Sequence, residues 1–210
     1  MWHKVNPIAF RIPYIKTWKS TWYEDKKTYK NSLGLDVKAR TILAKELTGI
    51  PLGDILVARN TEMIEVVVYT AKASLILGKT SENKDRLESL LTRKLWNKVT
   101  LEIRDVKNPD LNAKIVWFNV ANQIEKRMPY KRAIKQAIQK TMEKGAKWIK
   151  IKVGWRLNWA EIARKETFKE GNIPTQTIRS DIDYTTVRAE TVYGTIGLKV
   201  WIYKWDIYKK

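Results

Sequence analysis

Lys107-Asn108-Pro109-Asp110 is the sharpest break in the 210-residue chain, a turn-forming cluster between two patterned halves that must each bury a core of their own. It predicts an N-terminal region over residues 1–106 and a C-terminal α+β domain over residues 107–210. In the first half, Asp36 to Leu47 has apolar or small residues at Val37, Thr41, Ala44 and Leu47 and is followed by Gly49 and Pro51, which stop a helix. Ile55 to Ala58 and Met63 to Thr70 are rich in Val and Ile and read as a hairpin. Ser81-Glu82 opens a helix whose Leu87, Leu90, Leu91 and Leu95 share a face, and Val99, Leu101 and Ile103 alternate as in a strand. The second half predicts helices over Leu111 to Arg127 and Tyr130 to Lys144, divided by Pro129. Strands follow over Trp148 to Val153, Ala160 to Phe168, Arg188 to Tyr193 and Leu198 to Tyr203. Two helices on a four-stranded sheet form a two-layer α+β domain.

Charge narrows the function. The chain carries 41 Lys and Arg against 22 Asp and Glu, a net +19, which opposes compaction until an anionic partner neutralises it. Nucleic acid is the leading partner. A membrane surface competes, because Trp and Lys together also suit lipid headgroups, and a Trp/Lys-rich peripheral membrane protein is one alternative reading. Against it, no run of about 18 apolar residues occurs. Met1-Trp2-His3-Lys4 lacks the apolar stretch of a signal peptide, so a cytoplasmic location is expected. The chain has no Cys and one His, His3, which removes thiol chemistry, thiolate metal sites and most imidazole catalysis. Neither enzymatic activity, a cofactor, a metal site nor a homo-oligomer is expected.

Two stretches could carry binding chemistry. "SLILGKTSENKDRL", Ser74 to Leu87, joins a strand to a helix through Gly78, Lys79, Thr80 and Ser81. A P-loop nucleotide-binding enzyme is the alternative there, but that motif needs glycine at position 73, where this chain has Ala73. The better fit is the loop of a KH module, which lets a single-stranded backbone approach closely; its second glycine is here Ser81, so the clamp is expected to be weak. A plain helix N-cap at Ser81 is compatible with both. In "PYKRAIKQAIQKTMEKG", Ile134, Ala137, Ile138 and Thr141 make one side, and Lys131, Arg132 and Lys135 line a flank away from it with no acid among them. With this net charge, the flank reads as a phosphate-binding stripe rather than a merely solvated face. Asp181 and Asp183 in "SDIDY" lack neighbouring His or Glu ligands, and pairing with Arg179 or Arg188 is expected.

With these segments assembled, the chain resembles the bacterial-type small ribosomal subunit protein three, the S-three family, over nearly its whole length. The likeness rests on "KVNPIAFR" from Lys4, "TWKSTWY" from Thr17, "IRDVKNPDLNAKIV" from Ile103, "NQIEKRMPYKRAIKQA" from Asn122 and "RSDIDYTTVRAETVYGTIGLKVWIYK" from Arg179. The resemblance implies an N-terminal KH domain of type II, with its strand pair before the central helix, then the α+β domain. It implies a structural role in the head of the small ribosomal subunit, bound to ribosomal RNA and to neighbours such as ribosomal proteins ten and fourteen, on a cytoplasmic or organellar ribosome. Positions matching Lys131, Arg132 and Lys135 face incoming messenger RNA in that family and help unwind it. Lys131 stands where Arg is common, keeping charge but losing the bidentate fork. Lys4, Arg11, Arg156 and Arg164 are further candidates for ribosomal RNA contacts.

The family pattern near "VGWRLNWAEIAR" carries glycine where this chain has Trp155 and Trp159, and glycine is also usual at Trp2, Trp96, Trp148 and Trp205. Trp18, Trp22 and Trp201 are tryptophans the family itself uses. Ten Trp against nine Gly agrees with a systematic exchange, since glycine averages about 7% of residues. One reading is UGA codons printed as Trp but translated as Gly, and the other is tryptophan retained for stacking or packing. The first predicts exposed indoles or awkward backbone at these positions.

Overall fold

The computed structural model describes residues 4–60, 63–78, 82–157, 160–192 and 194–208. The chain divides into a unit of residues 18–107 and a second unit that joins the segment up to Thr17 to residues 108–210. Helix α1 (Pro7–Phe10) belongs to the second unit. The first of these units ends at Lys107, and the N-terminal segment packs with residues 108–210 rather than with the first half.

The first unit holds β1 (Ser20–Thr21), α2 (Lys26–Glu46), β2 (Leu52–Arg59), β3 (Met63–Thr70), α3 (Ser74–Leu77), α4 (Glu82–Leu95) and β4 (Lys98–Asp105). The sheet order is β1-β2-β3-β4, with β2 antiparallel and β4 parallel to β3. A parallel neighbour needs a crossover, and α3 with α4 supplies it. Leu43, Val57, Val66, Val68, Leu91 and Leu101 are buried between helices and sheet. Glu88 on α4 accepts the Leu101 N–H at 2.8 Å and ties helix to strand. After the short β1, which the sequence does not announce, the order helix, strand, strand, helix, strand is as expected, with two further differences. Helix α2 starts at Lys26, not near Asp36, because its first half buries Ser32 and Asp36 instead of an apolar stripe. The Asp36 carboxylate accepts the Trp22 indole N–H at 2.7 Å. Ser74–Leu77, expected to end a strand, is a helical turn whose start is held by the Asp105 carboxylate accepting the Ala73 N–H.

In the second unit a 3-10 turn (Pro109–Leu111) leads to α5 (Ala113–Glu125), capped by the Asn112 side chain, and α6 (Tyr130–Glu143). Four strands follow, β5 (Trp148–Trp155), β6 (Arg164–Glu170), β7 (Ser180–Thr191) and β8 (Gly194–Asp206), in the antiparallel order β6-β5-β8-β7. Val120, Ile134, Ile151, Leu198 and Val200 are buried between the helices and one sheet face. This is the expected two-layer arrangement. β6 begins later than expected, and β7 begins eight residues earlier, at Ser180 instead of Arg188. Asp181 and Asp183 hide its alternation, since their charges are met by distant groups. Lys16 lies 2.5 Å from Asp181, and Asp183 accepts the Ala113 N–H at 2.8 Å. The expected pairing with Arg179 or Arg188 is corrected accordingly, for Arg179 pairs with Asp206.

The tryptophans separate into two kinds. Trp96, just past α4, has φ 57° and is 90% exposed, and Trp155 has φ 150° and is 44% exposed. Both sit in backbone that favours glycine. Trp205 is also exposed, and Trp148 stacks on Tyr203 with ring centroids 5.2 Å apart. Trp22, by contrast, is hydrogen-bonded to buried Asp36 and lies under the Arg59 guanidinium. Trp2 and Trp159 lie outside the described residues.

Candidate nucleic-acid interface

The loop between α3 and α4 opens at Gly78, whose φ of 70° and ψ of −163° suit glycine alone. A Cβ there would meet the Asn83 amide nitrogen at 2.9 Å. Lys79, Thr80 and Ser81 of the expected loop lie outside the described residues. The first turn of α4 carries Glu82 and Asp85, which complement the positive helix end but place negative charge where a phosphate would come. The described backbone before Gly78 does not form a phosphate nest. The Ala73 N–H is taken by Asp105, and the Leu75, Ile76, Leu77 and Gly78 N–H groups return to the Lys72, Ala73 and Ser74 carbonyls as a helical turn.

On α6, Ala133, Ile134, Ile138 and Thr141 are buried, while Lys131, Arg132 and Lys135 are all exposed. The helix has no acid in its first turn, so two of these cations add to the positive end of its dipole. That arrangement is electrostatically unfavourable in the free chain, and an anion placed at the helix end would relieve it.

The four remaining candidates separate sharply. Lys4 is exposed and lies close enough to Lys150 to help lower that lysine's pKa. Arg164 is exposed at the start of β6, opposite Trp155. Arg156 is half-buried and donates Nε–H to the Ala160 carbonyl at 2.9 Å, which staples the turn after β5. Arg11 is corrected from an RNA contact to a structural clamp, because it is 0% exposed. Its Nε–H donates to the Ser180 carbonyl at 2.6 Å, Nη1 to Pro7 at 2.9 Å, and Nη2 to the Pro174, Thr175 and Thr177 carbonyls at 3.2, 3.0 and 2.8 Å. Burial draws its guanidinium below the ordinary arginine value, with Asp181 acting against that.

Residue-by-residue reading missed the cations of the C-terminal sheet. "WIKIKV", Trp148 to Val153, alternates lysine with buried Ile149, Ile151 and Val153, which puts Lys150 and Lys152 on the face away from the helices. The period was visible in the sequence. Among the described residues, no helix is long and apolar enough to cross a membrane, and no three His, Asp or Glu gather as a metal site would require.

A strand pair before the central helix, a parallel third strand and a loop opened by a glycine at positive φ define a KH module, here accompanied by a basic two-layer α+β unit. Comparison with known proteins agrees. Residues 38–111 match the KH domain model, and residues 120–202 match that of the ribosomal protein S3, C-terminal domain. Small ribosomal subunit protein uS3 of Marinobacter nauticus is 44% identical over 207 residues, covering 99% of this chain and 91% of the relative. The proteins of the same name from Hahella chejuensis and Blochmanniella pennsylvanica are each 42% identical over 207 residues, with 99% of this chain covered and 91% and 88% of theirs. The chain belongs to the ribosomal protein S3 family.

Proposed function

We propose that this protein is a structural, RNA-anchored component of the head of the small ribosomal subunit, and that the first turns of α6 meet incoming messenger RNA. The observation that carries the reading is the exposure of Lys131, Arg132 and Lys135 on a helix whose opposite side is buried. Phosphates of an incoming messenger are drawn to these side chains and to the helix end behind them, which holds the strand against the protein and resists its slipping back as a hairpin is opened. Lys4 and Arg164, both exposed, and Arg156 contribute cations for ribosomal RNA. Ribosomal proteins ten and fourteen are the expected neighbours, on a cytoplasmic ribosome. The KH loop takes a minor part in single-strand binding, because Ser81 replaces its second glycine and Glu82 and Asp85 repel phosphate.

Replacing Lys131, Arg132 and Lys135 together by alanine is expected to slow passage through a messenger hairpin while particles still assemble. In vitro translation across hairpins of graded stability, with sedimentation of the particles, checks this, and equal loss of both would remove the channel role. Affinity of the unaltered chain for small-subunit RNA is expected to fall by roughly 0.7 to 0.9 log unit per log unit of salt for each phosphate neutralised. Filter binding over a salt series measures that slope, and binding indifferent to salt contradicts the reading.

A further inference from the structure

The face of the C-terminal sheet turned away from α5 and α6 is ordered in rows by its strand register. Lys169, Lys150, Trp201 and Tyr184 stand side by side across β6, β5, β8 and β7. The next row is Thr167, Lys152, Lys199 and Thr186, and the third is Lys165, Gly154, Gly197 and Arg188. Six cations therefore share one face, and among the described residues none has an acidic partner within ion-pair distance. The acid on these rows' side of β7, Glu190, stands beyond the third row, opposite Thr195.

Three features distinguish this face from an ordinary solvated one. Lys150 is half-buried, with its ammonium 5.3 Å from the centre of the Trp201 ring, and Trp201 stacks on Tyr184 at 5.1 Å. The aromatic pair thus holds a lysine near other lysines instead of letting it swing into water. Burial, followed by Lys4, Lys152 and Lys169, pushes the Lys150 ammonium below its ordinary pKa, so positive charge is concentrated here against its own repulsion. In the third row the stem of Lys165 leans over Gly154, its Cγ 3.3 Å from where a Cβ would stand, while exposed Gly197 beside Arg188 leaves a low point where a ligand's backbone can approach the sheet closely.

We propose that this sheet face is a docking surface for the sugar-phosphate backbone of folded ribosomal RNA, distinct from the messenger-facing helix. The inference deepens the ribosomal reading and rests on it. Charge complementarity selects the occupant. Cations in three adjacent rows with no acid among them match a polyanion, whereas a protein partner would have to supply an acid for each lysine. A lipid surface would call for protruding apolar side chains, and Trp201 and Tyr184 are half-buried and packed on each other.

The test uses the full chain and a transcript of the head region of bacterial small-subunit RNA. A variant with Lys150→Ala, Lys152→Ala and Lys199→Ala is expected to bind that transcript at least tenfold more weakly at moderate salt. Its slope of log affinity against log salt should flatten by about 2, near 0.7 for each lost contact. The Lys131→Ala, Arg132→Ala, Lys135→Ala variant keeps its affinity for the transcript. Because Lys150 also covers Trp201, mass-spectrometric acetylation of the unaltered protein gives a second reading. Bound transcript should protect Lys150, Lys152, Lys165, Lys169 and Lys199, while Lys26 and Lys27 on α2 remain reactive. Unprotected sheet lysines, an unchanged slope, equal competition by an unstructured oligonucleotide, or a defect confined to neighbouring proteins or anionic vesicles would each overturn the surface. Failure of the unaltered chain to bind the transcript at all would overturn the ribosomal reading itself.

Discussion

Replacing Arg11 by alanine is expected to destabilise the C-terminal unit by about 3–5 kcal/mol, the loss of several buried hydrogen bonds from a charged donor at about 1.5–3 kcal/mol each, offset in part by relief of the buried charge. The guanidinium donates to five carbonyls, those of Pro7, Pro174, Thr175, Thr177 and Ser180, and so binds the N-terminal segment to the chain entering β7. Alanine leaves a cavity and several buried carbonyls without donors, at about 1–3 kcal/mol for each left unsatisfied, partly relieved by entering water. Lysine at the same place should rescue little. Its compact ammonium lacks the planar fork that reaches Ser180 on one edge and residues 174–177 on another. Native-state hydrogen exchange checks this locally. Protection should fall in β7 and β8, and the amides of β3 and β4 should keep theirs.

The second large effect has the opposite sign. Replacing Trp96 and Trp155 by glycine is expected to stabilise the chain by about 1–2 kcal/mol at each site, the cost of holding a bulky residue in left-handed or strained backbone. Trp96 follows the last turn of α4, donates its N–H to the Thr92 carbonyl and has φ 57°, the position where helices commonly end on glycine. Its side chain is 90% exposed, so little packing is lost. Trp155, at φ 150°, crowds Gly194, whose missing Cβ would lie 2.8 Å from the indole nitrogen. Trp22→Gly serves as the contrast and should destabilise, because it releases buried Asp36 and uncovers Arg59. Urea unfolding of the three variants measures these shifts. The backbone geometry at Trp96 and Trp155 predicts that their coding triplets are UGA and that the cell inserts glycine, and the family's glycine pattern extends that expectation to positions 2, 148, 159 and 205. UGG codons, or an intact mass fitting ten tryptophans, would show instead that the indoles are genuine.

Local regularities carried far in this chain. The Val- and Ile-rich run from Met63 to Thr70 is strand β3 residue for residue, and Tyr130 to Lys144 is α6 to within a residue, because both alternate cleanly between water and core. The basic flank of α6 was legible for the same reason, as its apolar side leaves Lys131, Arg132 and Lys135 nowhere to go but outward. Legibility failed where polar residues are buried. Helix α2 conceals Ser32 and Asp36, and β7 conceals Asp181 and half-buries Asp183, with Asp36, Asp181 and Asp183 met by groups that sequence spacing does not bring near.

Arg11 marks the limit most clearly. Nothing in "KVNPIAFR" distinguishes a cation bound for phosphate from one bound for carbonyls more than 160 residues away, since both need the same donors. Likewise the alternation in "WIKIKV" assigns two sides to β5, but only strand register sets Lys169, Lys150 and Trp201 in one row. The sequence by itself determined most of the elements, their apolar faces and the surplus of positive charge, because periodicity and composition act over short range. Tertiary structure alone decided which cations are spent holding the chain together and which are left facing outward for RNA, because that depends on groups meeting across long loops.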